Sequence, residues 1–163
     1  MRFPPQPKAS FEFRIEENQY RIRVWNRKLK PMNSGDLHKV WEIKTLKRKP
    51  RGEEALKVLE RIAKQVQPIM RKHKWRVKVL SEMCPKNRSL LGLNVGAGVH
   101  VKLRLRRGNS DDDFLPFHEV LDTMLHELCH NAHGPHNASF YNLWDELRKS
   151  NKKRSWTTVC LAQ

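Results

Sequence analysis

The segment Leu125-His126-Glu127-Leu128-Cys129-His130 decides the fold, together with His136, six residues beyond its last histidine. Histidines four residues apart lie on one face of an α-helix, about one turn from each other. Their ring nitrogens can therefore bind a single metal ion at about 2.0–2.1 Å. The neighbouring Glu127 can reach a water molecule on that ion without being a ligand itself. This pattern predicts metal-assisted hydrolysis, with the peptide bond as the favoured substrate.

The residues around this segment indicate an active-site helix that ends just after it. Apolar residues recur at helical spacing, namely Phe117, Val120, Leu121, Met124, Leu125 and Leu128. Gly134-Pro135 is a helix stop and a turn that can bring His136 back to the ion. On a continuous helix, by contrast, His133 would lie about 10 Å from His126. Three protein ligands and one open position are typical of catalytic rather than structural zinc.

Several of these residues also have a structural interpretation. The three histidines could be surface or capping residues near a helix C-terminus, where positive charge is favoured. His133 is better interpreted as a helix-end residue or a group behind the ligands than as a ligand. Cys129 is expected to pack as a small apolar residue. Tyr141 is a candidate oxyanion stabiliser, although packing in the last helix explains it more simply.

The longer run over 125–141, with its H-E-x-x-H…G-P-H…F-Y pattern, resembles the WLM family of zinc metalloproteases, which are relatives of the SprT/Spartan proteases. Further matching segments lie at 91–95, 101–106 and 143–147, and the resemblance covers about 36–149. It implies a zincin-like fold with one catalytic Zn²⁺. The ligands that it implies are His126, His130 and His136, and Glu127 is the implied general base.

The resemblance also implies a biological role. The family cleaves proteins that are crosslinked to DNA, often SUMO-modified ones, and DNA stimulates the activity. Its members commonly carry C-terminal SUMO-interacting motifs, small zinc fingers or segments that recruit a ubiquitin-selective AAA segregase. Residues 150–163 contain neither paired cysteines nor an aliphatic run flanked by acids. These residues therefore do not support recruitment by those routes, and only the resemblance indicates SUMO and the segregase as partners.

The charge of the chain favours a polyanionic partner. The net charge is +16 over 163 residues, and 22 basic side chains face 14 acidic ones between residues 32 and 150. Nucleic acid, here DNA, explains this surplus better than a generally basic solvated surface. A membrane is not an expected partner, because the sequence has no basic amphipathic helix with exposed aromatics and no apolar stretch of about 18–20 residues.

Length and cysteine content predict one domain with tails. We expect a basic N-terminal extension over 1–31, in part a short hairpin, and a WLM-type metalloprotease domain over 32–150. A short basic tail follows over 151–163, and within it 155–160 show no helical pattern. No C-x-x-C pair occurs among the three cysteines, and no signal peptide is visible, so a reducing compartment is expected. The expected location is the nucleus, with the cytoplasm as an alternative, and the protein is expected to be a monomer.

Hydrophobic periodicity predicts an α+β domain in which a small twisted sheet packs against the active-site helix and flanking helices. Alternating apolar residues predict strands at 40–43, 75–79, 90–95 and 99–105, with a turn at 96–98. A helix is predicted over 53–73, and Pro68 should kink or break it. A last packing helix is predicted around 140–147.

The last predicted strand carries the candidate nucleic-acid contacts. Lys102, Arg104 and Arg106 alternate with apolar residues and form a basic ladder, which Arg107 continues. This ladder is interpreted either as a contact for DNA phosphates or as an ordinary charged solvent face. The same strand could be the sheet edge that aligns an extended substrate. The basic run over 47–51 is interpreted as a nuclear localisation signal, a phosphate-contacting loop or a solvated loop.

These observations predict a zinc metalloendopeptidase, stimulated by DNA, that acts in the repair of DNA–protein crosslinks. The main alternative is a non-enzymatic basic nucleic-acid-binding module. The presence of Glu127 argues against it, because metal binding alone would not require this residue. A second alternative is a zinc hydrolase that acts on a non-peptide bond.

Overall fold

The computed structural model describes residues 36–160, with side chains as far as residue 154. The predicted extension over 1–31 lies outside the described residues, as does the end of the predicted tail over 161–163. The elements in chain order are β1 Val40–Lys44, α1 Gly52–His73, β2 Val77–Met83, β3 Gly92–Val95, β4 His100–Arg104, α2 Phe117–Cys129 and α3 Ala138–Cys160. They confirm the predicted α+β class, with a small sheet and an active-site helix.

Helix α1 buries one apolar side and ends where the sequence predicts. Its buried residues include Leu59, Ile62, Val66 and Ile69. Acidic residues in the first turn and basic residues in the last turn complement the helix dipole. Lys74 ends the helix in the left-handed conformation. The helix continues through Pro68, so the predicted break does not occur, because the buried side extends past the proline in both directions.

The sheet has the strand order β1-β2-β4-β3. Strands β1, β2 and β4 are parallel, and β3 is antiparallel to β4. The prediction that the fourth strand forms the sheet edge is therefore wrong, because β4 lies between β2 and β3. The turn at Gly96, Ala97 and Gly98, all at positive φ, folds β3 back along the outer side of β4. In the described part of the chain, the edge at this side is β3.

One face of the sheet packs against the helices and forms the core. Leu80, Val101 and Leu103 from the sheet are fully buried in the same cluster as Leu125 and Phe140 from α2 and α3. This arrangement fixes the active-site helix α2 between the sheet and α3. None of the helices within 36–160 has the length and apolar character that a membrane span requires.

The last helix extends beyond the predicted one. Among its side chains described as far as residue 154, Leu147 is the last buried apolar one, yet the helix continues to Cys160. The prediction that the helical pattern does not continue into 155–160 is therefore wrong. The side chains past Leu147 are mostly polar and give no apolar periodicity, whereas the helical backbone propagates from the packed first half. Gln65 of α1 also donates a hydrogen bond to Asn151 Oδ1 at 3.0 Å.

Candidate metal centre and active site

The three predicted histidines converge at the C-terminal end of α2. His126 and His130 lie one turn apart at this end, and His136 comes from the segment between α2 and α3. Nε2 of His136 lies 3.0 Å from Nε2 of His126 and 3.1 Å from Nε2 of His130. Within the described residues, these three form the group that could hold a metal ion.

The chain reversal that delivers His136 is built from local hydrogen bonds. After α2, the backbone N–H of His133 donates to the carbonyl of Cys129 at 2.9 Å. The N–H of Asn137 donates to the carbonyl of Pro135 at 2.9 Å and closes the turn. The Asn137 side chain then accepts a hydrogen bond from Phe140 N at 3.0 Å, which caps the start of α3. His136 is thus held immediately before a helix cap.

The surroundings of the rings orient their Nε2 atoms toward one another. The Nδ1–H of His130 donates to the carbonyl of His133 at 3.1 Å, which leaves Nε2 free for a metal. His133 therefore acts through its backbone and not as a ligand. The His126 ring meets the edges of Phe140 and Trp144 at centroid distances of 4.8 and 4.7 Å.

The pKa of His126 is lowered to about 4, first by burial and then by the two neighbouring histidines. The ring is consequently neutral at pH 7, which is the form that binds a metal. Ring nitrogens that face one another with their lone pairs repel, and a cation between them removes the repulsion. Tetrahedral coordination at 2.0–2.1 Å separates two ligand nitrogens by about 3.3 Å, close to the observed spacing. The donor set therefore fits a metal with a fourth, open position.

The carboxylate of Glu127 is buried beside these ligands. Its side chain is 5% exposed, and this burial raises its pKa to about 7. On the side of β3 it contacts the backbone of Gly92, where an added Cβ atom would lie 2.5 Å from Oε1. Sequence reasoning missed this role of Gly92. A single glycine inside a predicted strand was the available signal, because such glycines mark close approaches.

Asn94 ties the edge strand to the end of the active-site helix. Its Nδ2 donates to the carbonyl of Glu127 at 2.6 Å and to Asn131 Oδ1 at 2.8 Å. Its Oδ1 accepts a hydrogen bond from Gly98 N at 2.8 Å. This clamp was also missed in the sequence, where an asparagine between Leu93 and Val95 gives only a weak signal. It holds β3 in register beside Glu127.

Exposed apolar and aromatic groups lie next to the site. Leu91, just before the edge strand β3, is 46% exposed, and Leu93, within β3, is 37% exposed. Tyr141 is 52% exposed, and its ring centroid lies 6.4 Å from that of His136. Its exposure departs from a purely packing role and leaves its ring beside the ligands. Cys129, in contrast, is fully buried in the core, as predicted, and burial raises the pKa of its thiol to about 12.

The predicted basic ladder is not a solvent-facing surface. Arg104 and Arg106 are only 8% and 6% exposed, so the prediction that they belong to a solvent-facing basic ladder is wrong. Their side chains are covered because β4 lies inside the sheet and loops fold over its end. Lys102 is half-buried, and the exposed Arg107 lies 3.0 Å from a carboxylate oxygen of Asp113. A role of these four residues in nucleic-acid binding stays a prediction.

The basic run over 47–51 contacts the acidic loop that follows β4. Lys49 Nζ lies 2.7 Å from both carboxylate oxygens of Asp111. Arg51 bonds to the carbonyl of Asp112 and to the carboxylate of Glu54. These contacts give part of the run a structural role, while its possible use as a localisation signal stays a prediction.

Comparisons with known proteins find a matching family and similar sequences. The family model described as the WLM domain matches residues 38–161. The DNA-dependent metalloprotease WSS1 of Saccharomyces cerevisiae is 41% identical over 108 residues, which are 66% of this chain and 40% of that protein. The DNA-dependent metalloprotease WSS1 homolog 2 of Schizosaccharomyces pombe is 40% identical over 107 residues, or 61% and 38% of the two chains. The chain thus spans about two fifths of the length of these curated relatives.

Solved structures are similar over most of the described chain. The crystal structure of Wss1 from S. cerevisiae has a TM-score of 0.73 at 36% identity and covers 76% of this chain and 96% of its own. The structure of Wss1 from S. pombe has a TM-score of 0.63 at 37% identity, with coverages of 72% and 96%. The fold described above is therefore that of a known group of structures.

Proposed function

The chain belongs to the WLM family, as its sequence predicts, and from this premise we propose that it is a zinc-dependent endopeptidase whose activity is stimulated by DNA. One observation carries the proposal: the Nε2 atoms of three histidines converge, and the buried Glu127 directly follows one of them, His126, on the same helix. The similar curated proteins bear the name of DNA-dependent metalloproteases, which supports both the metal and the dependence on DNA.

In the proposed mechanism, His126, His130 and His136 would hold Zn²⁺ through their Nε2 atoms. When bound, the ion supplies a Lewis acid that acidifies water and polarises a peptide carbonyl. Glu127 accepts a proton from the attacking water at its carboxylate and later donates that proton to the leaving amine. Its burial against Gly92 holds the carboxylate in one position through both transfers.

We propose that the substrate is aligned along β3 rather than β4. An extended peptide can add to a sheet edge through main-chain hydrogen bonds. Strand β3 is the edge beside Glu127, and the side chains of Leu91 and Leu93 are exposed there. The cleaved bond then lies across from the carboxylate that transfers the proton.

The proposed substrates are proteins crosslinked to DNA, including SUMO-modified ones. The net charge of +16 supports DNA as the partner that brings enzyme and substrate together. We also propose a nuclear location, because the proposed substrates are bound to DNA, with the cytoplasm as a second location. Imaging of the tagged chain tests this proposal. We also propose that the protein is a monomer. Recruitment of SUMO or an AAA segregase is proposed from the family resemblance alone, and pull-down with purified SUMO tests it directly.

The test measures cleavage of a DNA-bound protein by the full chain loaded with zinc, with and without single-stranded DNA. The matched variants are Glu127→Gln and Glu119→Gln, because Glu119 is an exposed glutamate on the same helix. We expect cleavage that requires Glu127 and DNA and that survives the Glu119 change. Equal cleavage by Glu127→Gln would overturn the mechanism. Bound zinc and bound DNA without cleavage of any polypeptide would favour the non-enzymatic module instead.

A further inference from the structure

A cavity of about 250 Å³ opens at the ends of β2 and β4, lined by none of the metal-site residues. Five of its ten lining residues are basic, and its acidic residue is Asp111. Both carboxylate oxygens of Asp111 already accept hydrogen bonds from Lys49 at 2.7 Å. Arg106 and Arg107 are themselves paired with Glu82 and Asp113, and the positive charge that remains comes from Lys86, Arg88 and Arg104.

Arg106 forms part of the cavity wall and is held rigidly. Its Nε donates to Glu82 Oε1 at 2.6 Å, and its Nη1 donates to the carbonyl of Pro50 at 2.6 Å and to that of Asp111. Within the described part of the chain, Nη2 of the same guanidinium is buried and has no hydrogen-bond partner. A buried charged donor without a protein partner is unfavourable, and a ligand in the cavity that Arg106 lines could supply the missing acceptor.

Arg104 provides a second guanidinium to the same cavity. Its Nε donates to the carbonyl of Arg106 at 2.9 Å, and its Nη1 donates to the carbonyl of Arg88 at 2.5 Å. Its Nη2 lies against Gly108, because a Cβ atom added there would be 2.5 Å away. Two guanidinium groups, both more than nine-tenths buried, are thus fixed by backbone carbonyls around one opening.

We propose that this cavity binds one phosphate group of a nucleic acid. Guanidinium groups match the oxygens of a phosphate, and fixed donors lose little entropy on binding. The exposed residues Lys86, Arg88 and Arg107 surround the opening and add long-range attraction. The proposal rests on the proposed function, because it identifies the site at which the stimulating DNA is held.

The position of the cavity suits a nucleic acid that carries a crosslinked protein. Cys84, Pro85, Lys86 and Arg88 line the cavity, and the chain runs from Arg88 through three further residues into β3. The backbone N–H of Arg104 also donates to the carbonyl of Leu91 at 2.9 Å, at the entrance to the edge strand. A phosphate held by Arg104 therefore lies on a surface that adjoins the proposed substrate edge.

The test introduces a competing negative charge without removing any arginine. Gly108→Asp places a carboxylate against Nη2 of Arg104, and the backbone of Gly108 is not at positive φ. Gly108→Asn is the uncharged control of equal size. Asn109→Asp adds the same charge one residue along the chain, outside the cavity lining. All variants are made in the full chain with Glu127→Gln, so that no readout depends on hydrolysis.

Affinity is measured by fluorescence anisotropy of single-stranded oligonucleotides across a salt series, after melting curves show that each variant is folded. We expect Gly108→Asp to bind about tenfold more weakly than either control, with a salt dependence reduced by about one phosphate contact. Inorganic phosphate should raise the melting temperature of the parent and not that of Gly108→Asp. Oligonucleotides with and without a 5′-phosphate distinguish a terminal phosphate from an internal phosphodiester.

Equal affinities of Gly108→Asp and Asn109→Asp would overturn the proposal, as would equal losses in Gly108→Asp and Gly108→Asn. A chain that binds DNA through this cavity and yet cleaves no protein would refute the proposed protease while leaving the phosphate site intact. The failures of the two proposals are thus distinguishable.

Discussion

Glu127 and Gly92 approach so closely that a methyl group at residue 92 would lie 2.5 Å from the carboxylate oxygen Oε1. The contact joins the active-site helix to the edge strand of the sheet. It means that the residue proposed to move protons and the strand proposed to align substrate are positioned by each other.

Gly92→Ala should therefore lower peptidase activity by at least about tenfold while the metal remains bound, because the carboxylate must move away from its position. Activity and bound zinc are measured on the same preparation. Gly52→Ala is the control, since a Cβ atom at Gly52 meets nothing within 4 Å. Full activity of Gly92→Ala would show that the position of Glu127 is not critical.

Asn94→Ala should destabilise the fold by about 1–3 kcal/mol, because it leaves the carbonyl of Glu127 and the N–H of Gly98 without their partner. Urea unfolding of the metal-free protein measures the change. Asn142→Ala, at an exposed helical position, should change stability by less than about 0.5 kcal/mol. Similar values for the two variants would contradict the clamp.

Glu82→Gln should lower the free energy of unfolding by about 3 kcal/mol. In the parent, Glu82 Oε1 lies 2.6 Å from Nε of Arg106, and the change leaves this buried charge uncompensated. The comparison is Asp145→Asn, which breaks the exposed pair with Lys149 and should cost less than about 1 kcal/mol. Unfolding in denaturant gives both values. A loss no larger for Glu82→Gln than for Asp145→Asn would contradict the role assigned to the buried pair.

His100 should make the protein less stable in acid. Its pKa is lowered to about 4, first by burial and then by Lys102 and Lys44, while Glu42 opposes the shift. Between pH 6.5 and 4, His100 binds a proton in the unfolded chain but stays neutral in the folded protein, so stability falls as the pH falls. Unfolding free energies of the metal-free parent and His100→Gln should diverge by about 1 kcal/mol over this range, a value discounted for partial exposure. Parallel pH profiles would contradict the assignment.

Chelation of the metal should abolish hydrolysis and lower the melting temperature of the parent, because the ion binds only the folded arrangement of histidines. His136→Ala should show a lower melting temperature that no longer responds to the chelator. His118→Ala, an exposed histidine at the start of α2, should respond like the parent. Zinc content by elemental analysis checks which metal is lost, and a His136→Ala protein that binds zinc like the parent would contradict the ligand assignment.

The local parts of the site were predictable from the sequence. The four-residue spacing of His126 and His130, the turn before His136 and the apolar side of α2 are all set by neighbours in the chain. The burial of Arg104 and Arg106 was not, because alternation in a strand does not reveal which loops cover its end. The edge position of β3 depends on strand order, which no single segment encodes. The roles of Gly92 and Asn94 likewise depend on contacts between distant segments.

The edge position of β3 has a consequence for selectivity. A strand that recognises its partner through main-chain groups recognises what every polypeptide shares, so the cleft itself exerts little choice among sequences. The choice of target must then come from proximity, as it does for any tethered reagent whose local concentration exceeds that of its competitors. The proposed alignment on β3 thus predicts an enzyme that cleaves many polypeptide sequences and selects its targets by their nearness.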